Sequence, residues 1–292
     1  VLQFTRNHYL LHFIVFIWGF TGILGKLISL GSFQLTWYRT FLAAAGILIY
    51  LLFTKKSLRT DLKGLLRFAG VGSIIALHWI TFYQAIKVSN VSVALACFSC
   101  GALFAAFIEP FFYKRRILLY EVLFGCVVIV CLILISNVET KYTAGILLSI
   151  TAAFTSALFG VMNGKLGKTY EPGLISFYEL ISAFFWMTLY NAVAGEFTAD
   201  KMAMHDYDLL WLLLLSFVCT SLTMVISINI MKTISPYTLV LTVNLESVYS
   251  IILAFLIFGN DEKMSLPFYL CTLGIFATVL ANAWCKKAFG PK

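Results

Sequence analysis

Ten apolar runs of about 20 residues, at roughly 10–30, 33–53, 65–86, 91–112, 117–135, 145–164, 173–194, 209–231, 237–258 and 266–285, follow one another along this 292-residue chain with only short segments between them. An α-helix rises about 1.5 Å per residue, so each run matches the ~30 Å hydrocarbon core of a bilayer. Hydrophobic residues make up 61% of the chain and charged residues 12%, about half the charge of a soluble domain. The spacing leaves no room for a soluble domain among the runs. The expected fold class is an all-α membrane protein with ten transmembrane helices.

The formal net charge of +8 does not mark a nucleic-acid partner, because the basic residues segregate by side. With the N-terminus placed in the cytoplasm, fifteen fall on the inward side: Arg6, Lys55, Lys56, Arg59, Lys63, Arg67, Lys114, Arg115, Arg116, Lys165, Lys168, Lys232, Lys286, Lys287 and Lys292. Four fall outward (Lys87, Lys141, Lys201 and Lys263), and only Lys26 and Arg39 lie within spans. This positive-inside bias predicts a multi-pass inner-membrane protein with both termini cytoplasmic. The bilayer and a small-molecule substrate are the expected partners.

The chain also reads as two copies of one unit. The segment AIKVSNVSVALACFSCGALF from Ala85 overlays IMKTISPYTLVLTVNLESVY from Ile230 at a constant shift of 145 positions. Lys87 then falls on Lys232, Ser99 on Asn244, Ala102 on Ser247 and Phe104 on Tyr249. A second overlay, shifted by 140, places Thr36-Trp37-Tyr38-Arg39 on Ser176-Phe177-Tyr178-Glu179 and Ala43 on Ala183. Five spans per half is an odd number, so the second half runs through the membrane in the opposite sense. The expected arrangement is two inverted five-helix repeats, 1–138 and 139–292, with a binding site between them near the midplane. The basic loop 54–63 and its acidic counterpart 195–208 support the inversion.

Ionisable residues inside spans cost about 2.5–3.5 kcal/mol at a helix centre on insertion scales, which makes them functional candidates. Glu246, near the middle of span 9 beside Asn244 and Ser247, reads as a proton-binding or amine-binding carboxylate, or as a structural one bonded to neighbouring helices. His78 and Trp79 lie near the middle of span 3, followed by Tyr83 and Gln84. Histidine titrates near neutral pH, which suits a proton relay as well as a plain hydrogen bond to a neighbour. Trp79 reads as a cavity wall. Arg39 and Glu179, equivalent in the overlay, read either as gates or as interfacial anchors that snorkel, and inversion sets them toward opposite sides of the membrane. Lys26 and Glu109 read as snorkelling. Ser99, Cys100, Asn163, Ser227 and Asn229 add polarity that serves a cavity or helix–helix contact. Pro110 and Pro236 read as span-edge prolines.

Seven cysteines in or beside apolar spans form no disulfide framework, and Cys97-x-x-Cys100 reads as helix packing. No catalytic constellation, phosphate-binding glycine loop or metal-ligand cluster occurs, so neither an enzyme nor a cofactor is expected. The N-terminal run lacks a small-residue cleavage site and reads as the first span.

Several of these segments resemble the EamA-like branch of the drug/metabolite transporter superfamily. They are the run NLESVYSIILAFLIFG at 244–259 with Asp261, Glu262 and Gly274, the Trp18-Gly19 opening, Arg39, and YQAIKVS at 83–89. The resemblance covers essentially the whole chain. It implies a secondary transporter, often an exporter of amino acids or related metabolites, with a cavity walled by spans 1–4 and 6–9 and with spans 5 and 10 peripheral. Where relatives usually carry proline after the span-9 glutamate, this chain has Ser247, which removes the basis for a proline break there. His78, Trp79, Tyr83, Gln84, Ser99, Asn229, Asn244 and Glu246 are the expected substrate contacts, with Glu246 and His78 as proton-coupling candidates. Neutral sugars or nucleosides are the alternative substrates, and a non-transporting membrane enzyme or scaffold the alternative class.

Overall fold

The computed structural model describes residues 6–114 and 116–289, apart from the side chains at 282–283 and 286–289. Of the basic residues counted above, Arg115, Lys286, Lys287 and Lys292 lie outside what is described. Ten helical spans occur among the described residues: α1 (Arg6–Leu27), α2 (Ser32–Phe53), α3 (Leu62–Val88), α4 (Val91–Tyr113), α5 (Leu119–Val138), α6 (Thr143–Leu166), α7 (Pro172–Val193), α8 (Asp208–Ile230), α9 (Pro236–Phe258) and α10 (Leu266–Phe289). No strand occurs among the described residues. All ten expected runs become helices, most of them a few residues longer than their apolar cores.

Polar residues in the short loops start these helices. Asp61 accepts from the Gly64 amide (3.1 Å), Asn90 from Val93 (2.8 Å), Glu171 from Leu174 (2.9 Å) and Ser235 from Thr238 (3.2 Å). Each cap satisfies an otherwise orphaned amide and contributes about 1 kcal/mol. Pro172 and Pro236 occupy first helical turns, where the missing N–H has no partner to lose. Pro110 also lies at a span edge, as expected. It lies within the last turn of α4, which ends at Lys114 in the left-handed conformation (φ 53°).

The helices are regular except around the centre of the bundle. α1 is two pieces, Arg6–Trp18 and Thr21–Leu27, broken at Gly19 and Phe20. A Cβ on Gly19 would meet Tyr249 Cβ at 2.8 Å, so only glycine lets α1 approach α9 this closely. The carbonyls freed by the break find hydroxyls: Trp18 O accepts from Thr21 (2.8 Å) and Gly19 O from Ser250 (2.6 Å). Irregular backbone at membrane depth is tolerated only when it is satisfied in this way or lines a cavity. α4 breaks between Phe98 and Gly101, at Ser99 and Cys100. α8 widens to a π-helix over Leu214–Leu222, where Thr220 and Ser221 hydroxyls bond the carbonyls five residues back. α9 is continuous through Ser247, as expected without the proline.

Successive helices reverse, so the loops divide between two faces. The N-terminal face carries the loops at 54–61, 167–171 and 231–235, joined by the Lys56–Glu171 ion pair (2.5 Å), Tyr170 Oη donating to Asp61 (3.0 Å) and Asn7 donating to Thr233 (2.7 Å). The opposite face is tied across many elements. Lys26 pairs with the fully buried Glu262 at 2.8 Å, and Glu262 also accepts from the Val91 and Ser92 amides at the start of α4 (3.1 and 2.8 Å). Lys87 Nζ donates to Ile28 O, and Asp208 accepts from Ser29 N and Oγ. Hydrogen bonds from Lys201 and Gln34 hold the Glu196 carboxylate below its ordinary range. Lys26 is therefore fixed by an ion pair and does not snorkel. Glu109 does not snorkel either: it is buried, with its Oε1 3.4 Å from the Tyr237 amide.

Cysteine-accessibility labelling tests the orientation. Residues 55–63 and 114–116 should label from the cytoplasm, and 195–208 and 260–263 from the other side. Labelling of 195–208 from the same side as Lys114 would sink the five-plus-five inversion.

Candidate functional site

A cavity opens at the centre of the bundle, partly continuous with solvent. Its wall is supplied by α1, α2, α3, α4, α6, α8 and α9; α5 and α10, which pack mainly on each other, contribute nothing to it. α7 is also missing from the lining, contrary to expectation: it packs against α2 and α3, which supply the wall on that side. The lining runs toward the N-terminal face through Asn163, Ser227, Met231 and Leu239. Toward the opposite face it stops at Thr21 and Phe82, more than a turn short of the helix ends at Leu27 and Val88.

Arg39 is the cationic centre of this wall. It is 3% exposed, and its guanidinium lies over the Trp79 ring at 4.0 Å. Nε donates to Thr220 Oγ1 (2.8 Å), and Nη1 donates to the Tyr83 hydroxyl. Both partners depend on local structure. Thr220 belongs to the π-helical stretch of α8, and widened turns of this kind recur at functional sites. Tyr83 is fully buried against Gly25, where a Cβ would sit 2.5 Å from the tyrosine ring. Nη2 has no protein partner among the described residues.

Glu246 lies on α9, on the same wall, 6% exposed. Its Oε1 accepts from Thr21 Oγ1 at 3.2 Å, a contact that exists because α1 breaks just before Thr21. Trp18, on the other side of the break, donates from Nε1 to Thr223 Oγ1 (2.9 Å). No ion pair within 4.0 Å joins Arg39 to Glu246 among the described residues, although both line one space. His78 donates from Nδ1 to Ala152 O (2.9 Å), since a carbonyl only accepts. This fixes the proton on Nδ1, and the imidazole packs among the rings of Phe82, Phe98 and Phe159 at centroid separations of 5.3–6.0 Å.

Of the residues expected at the site, His78, Trp79, Glu246 and Arg39 line the cavity. Tyr83 stands behind Arg39. Gln84 accepts from Ser32 Oγ at 2.6 Å, well above the cavity. Ser99 donates to Leu95 O and Asn244 to Leu241 O, so both serve their own helices. Asn229 is exposed on the outside of the bundle. Neither Arg39 nor Glu179 is an anchor: Glu179 is fully buried, beside Asn163, whose Nδ2 donates to Glu179 Oε2 at 3.0 Å. Thr21, Thr220 and Thr223 were not anticipated. A hydroxyl in an apolar helix is common, and only the break in α1 and the widening of α8 turn these three toward one space.

An all-helical polytopic bundle with a central cavity between five-helix halves is an architecture on which many transporters are built. The chain belongs to the EamA-like transporter family, whose profile matches residues 7–137 and again 143–284. It is thus a multi-pass membrane protein of a family that transports small molecules. A solved structure described as "Crystal structure of protein" shares the fold at a TM-score of 0.68 and 14% identity, covering 96% of this chain and 98% of that one. No curated protein matches the sequence.

Proposed function

We propose that this protein exports small zwitterionic metabolites of the amino-acid class across the inner membrane by alternating access. One observation carries the reading: Arg39 and Glu246, of opposite charge and both buried, face one cavity without neutralising each other directly. A buried charge that lacks a direct counter-ion is costly to maintain unless a ligand completes it. An α-carboxylate fits the free Nη2 of Arg39, and an ammonium fits the carboxylate of Glu246. The remaining wall is mainly aromatic and apolar with a few polar groups, as small-molecule sites are, and would receive the side chain. The cavity extends toward the N-terminal face, which the charge bias assigns to the cytoplasm, and stops short of the other, so this state is the one that accepts cargo for export. The first repeat (1–138) supplies Arg39, and the second (139–292) supplies Glu246.

Neutral sugars or nucleosides are the second reading, favoured by the Trp18 and Trp79 rings beside Thr21, Thr223 and Ser227. A thermal-shift screen of both compound sets separates them, since a ligand at 100 times its dissociation constant stabilises by about 2.7 kcal/mol. Efflux of labelled hits from proteoliposomes then tests transport, and a membrane enzyme or scaffold would show none.

Trp79→Ala should weaken transport at least tenfold while costing little unfolding temperature, because the indole borders empty space and stacks on Arg39. Equal losses of transport and stability would reduce Trp79 to a packing residue.

A further inference from the structure

Glu179 and Asn163 share an arrangement that the substrate site does not explain. Asn163 Nδ2 donates to Glu179 Oε2 at 3.0 Å. The other two atoms of the same two groups, Glu179 Oε1 and Asn163 Oδ1, are both buried and both lack a hydrogen-bond partner. With the carboxylate ionised, both atoms are acceptors, and neither can satisfy the other. A native interior rarely leaves two such groups orphaned side by side. A single proton on Oε1 resolves both at once, because the carboxylic acid then donates to Oδ1 while Oε2 accepts from Nδ2. The result is the cyclic pair that a primary amide forms with a neutral acid.

We propose that Glu179 is a proton-binding site of this transporter, held as the neutral acid by Asn163 and emptied when cargo engages Asn163. The second half rests on the transport reading given above. Asn163 forms part of the cavity wall while Glu179 lies behind it, so the amide is the one element that meets both cargo and acid. Cargo that draws the Asn163 amide toward the cavity opens the cyclic pair. The O–H bond of Glu179 then breaks, and the proton passes to cavity water. Ser176 Oγ, one turn earlier on the same helix face and also buried without a partner, is the donor available to the carboxylate that remains.

The surroundings supply no competing charge at close range. α3 meets Glu179 through Gly72, whose Cβ position would lie 2.4 Å from the Glu179 carbonyl. The titratable groups of the packed elements are otherwise committed. Arg39 on α2 is held by Tyr83 and Thr220, and His78 on α3 by Ala152 O. Lys63 and Arg67 on α3 and Lys165 on α6 are exposed, and the Thr223–Ile230 part of α8 has no ionisable side chain.

The test uses purified full-length protein in proteoliposomes and needs no substrate. N,N′-dicyclohexylcarbodiimide adds to buried carboxyls that carry a proton, and mass spectrometry reads the adduct. Infrared titration reads the carbonyl stretch of the neutral acid. Near neutral pH the wild type should show the adduct on the Glu179 peptide and an acid carbonyl band. The Glu179 adduct and its share of the band should vanish in Glu179→Gln, a near-isosteric change. Asn163→Leu should keep the adduct but move the band to higher frequency, because an acid released from the pair is no longer hydrogen-bonded. Absence of both signals at Glu179 in wild type, the infrared one needing no reagent to enter the spans, overturns the proposal. So does an unshifted band in Asn163→Leu. Such results leave the transport reading untouched. Conversely, a protonated Glu179 in a protein that moves no labelled compound keeps the site and removes its role in transport.

Discussion

Arg39→Leu is expected to lower affinity for a carboxylate-bearing ligand by about 30-fold to several thousand-fold, the equivalent of about 2–5 kcal/mol for truncating one member of a buried charge pair. The arginine does three things at once. It stacks on Trp79 at 4.0 Å, bonds Thr220 through Nε and Tyr83 through Nη1, and keeps Nη2 for cargo. A lysine supplies a point charge and cannot hold that planar set of contacts, so Arg39→Lys should fall close to Arg39→Leu and not between it and the wild type. Arg39→Leu also leaves Tyr83 and Thr220 without their donor, at a cost in stability of about 1–3 kcal/mol. Titrating ligand against the unfolding temperature of each variant separates the two losses, since affinity is read from the ligand dependence and stability from the ligand-free value. Wild-type affinity in Arg39→Leu would make this residue a structural cation and leave the amino-acid reading without its carboxylate anchor.

Which parts of this were legible in the sequence follows from what bilayers enforce. Lipid demands a complete turn-by-turn hydrogen-bond ladder across every span, so apolar length alone located all ten helices and the loops between them. The odd number of spans per repeat carried the inversion. Glu246, Arg39, His78 and Trp79 stood out because charge and aromatic polarity are rare at that depth. Polarity did not separate them from their neighbours. Gln84, Ser99 and Asn244 share that polarity, yet their own helix or the next one uses them, and a one-dimensional reading has no rotational phase to reveal it. Asn229 failed for the same reason: its position along α8 suited the cavity and its angle did not. The anchor reading of Arg39 and Glu179 assumed that lone charges seek water, whereas here other helices bury both. The break at Gly19, the bend at Ser99 and the widened turns of α8 depend on contacts between repeats, and such contacts leave little trace in local composition. Thr21, Thr220 and Thr223 became visible only with them.

Glu246→Gln is expected to abolish accumulation driven by a proton gradient while leaving substrate exchange measurable at equal pH on both sides. Net movement against a gradient needs a group that binds a second species and releases it as the cavity changes sides. Glu246 sits at mid-depth on α9, faces the cavity and receives one hydrogen bond, from Thr21 Oγ1. That bond comes from the far side of the break in α1, so a shift of α1 against α9 alters the solvation of the carboxylate directly. Glutamine keeps the size and the Thr21 contact but cannot ionise, so cargo contact persists while the proton cycle stops. Proteoliposomes with an imposed pH step report accumulation, and preloaded vesicles at uniform pH report exchange. Loss of both activities together would mark Glu246 as a binding residue only. Full accumulation in the variant would move coupling to His78 or to the Glu179–Asn163 pair. Transport by the wild type that ignores the pH step altogether would make the protein a facilitator, with the buried carboxylates serving cargo alone.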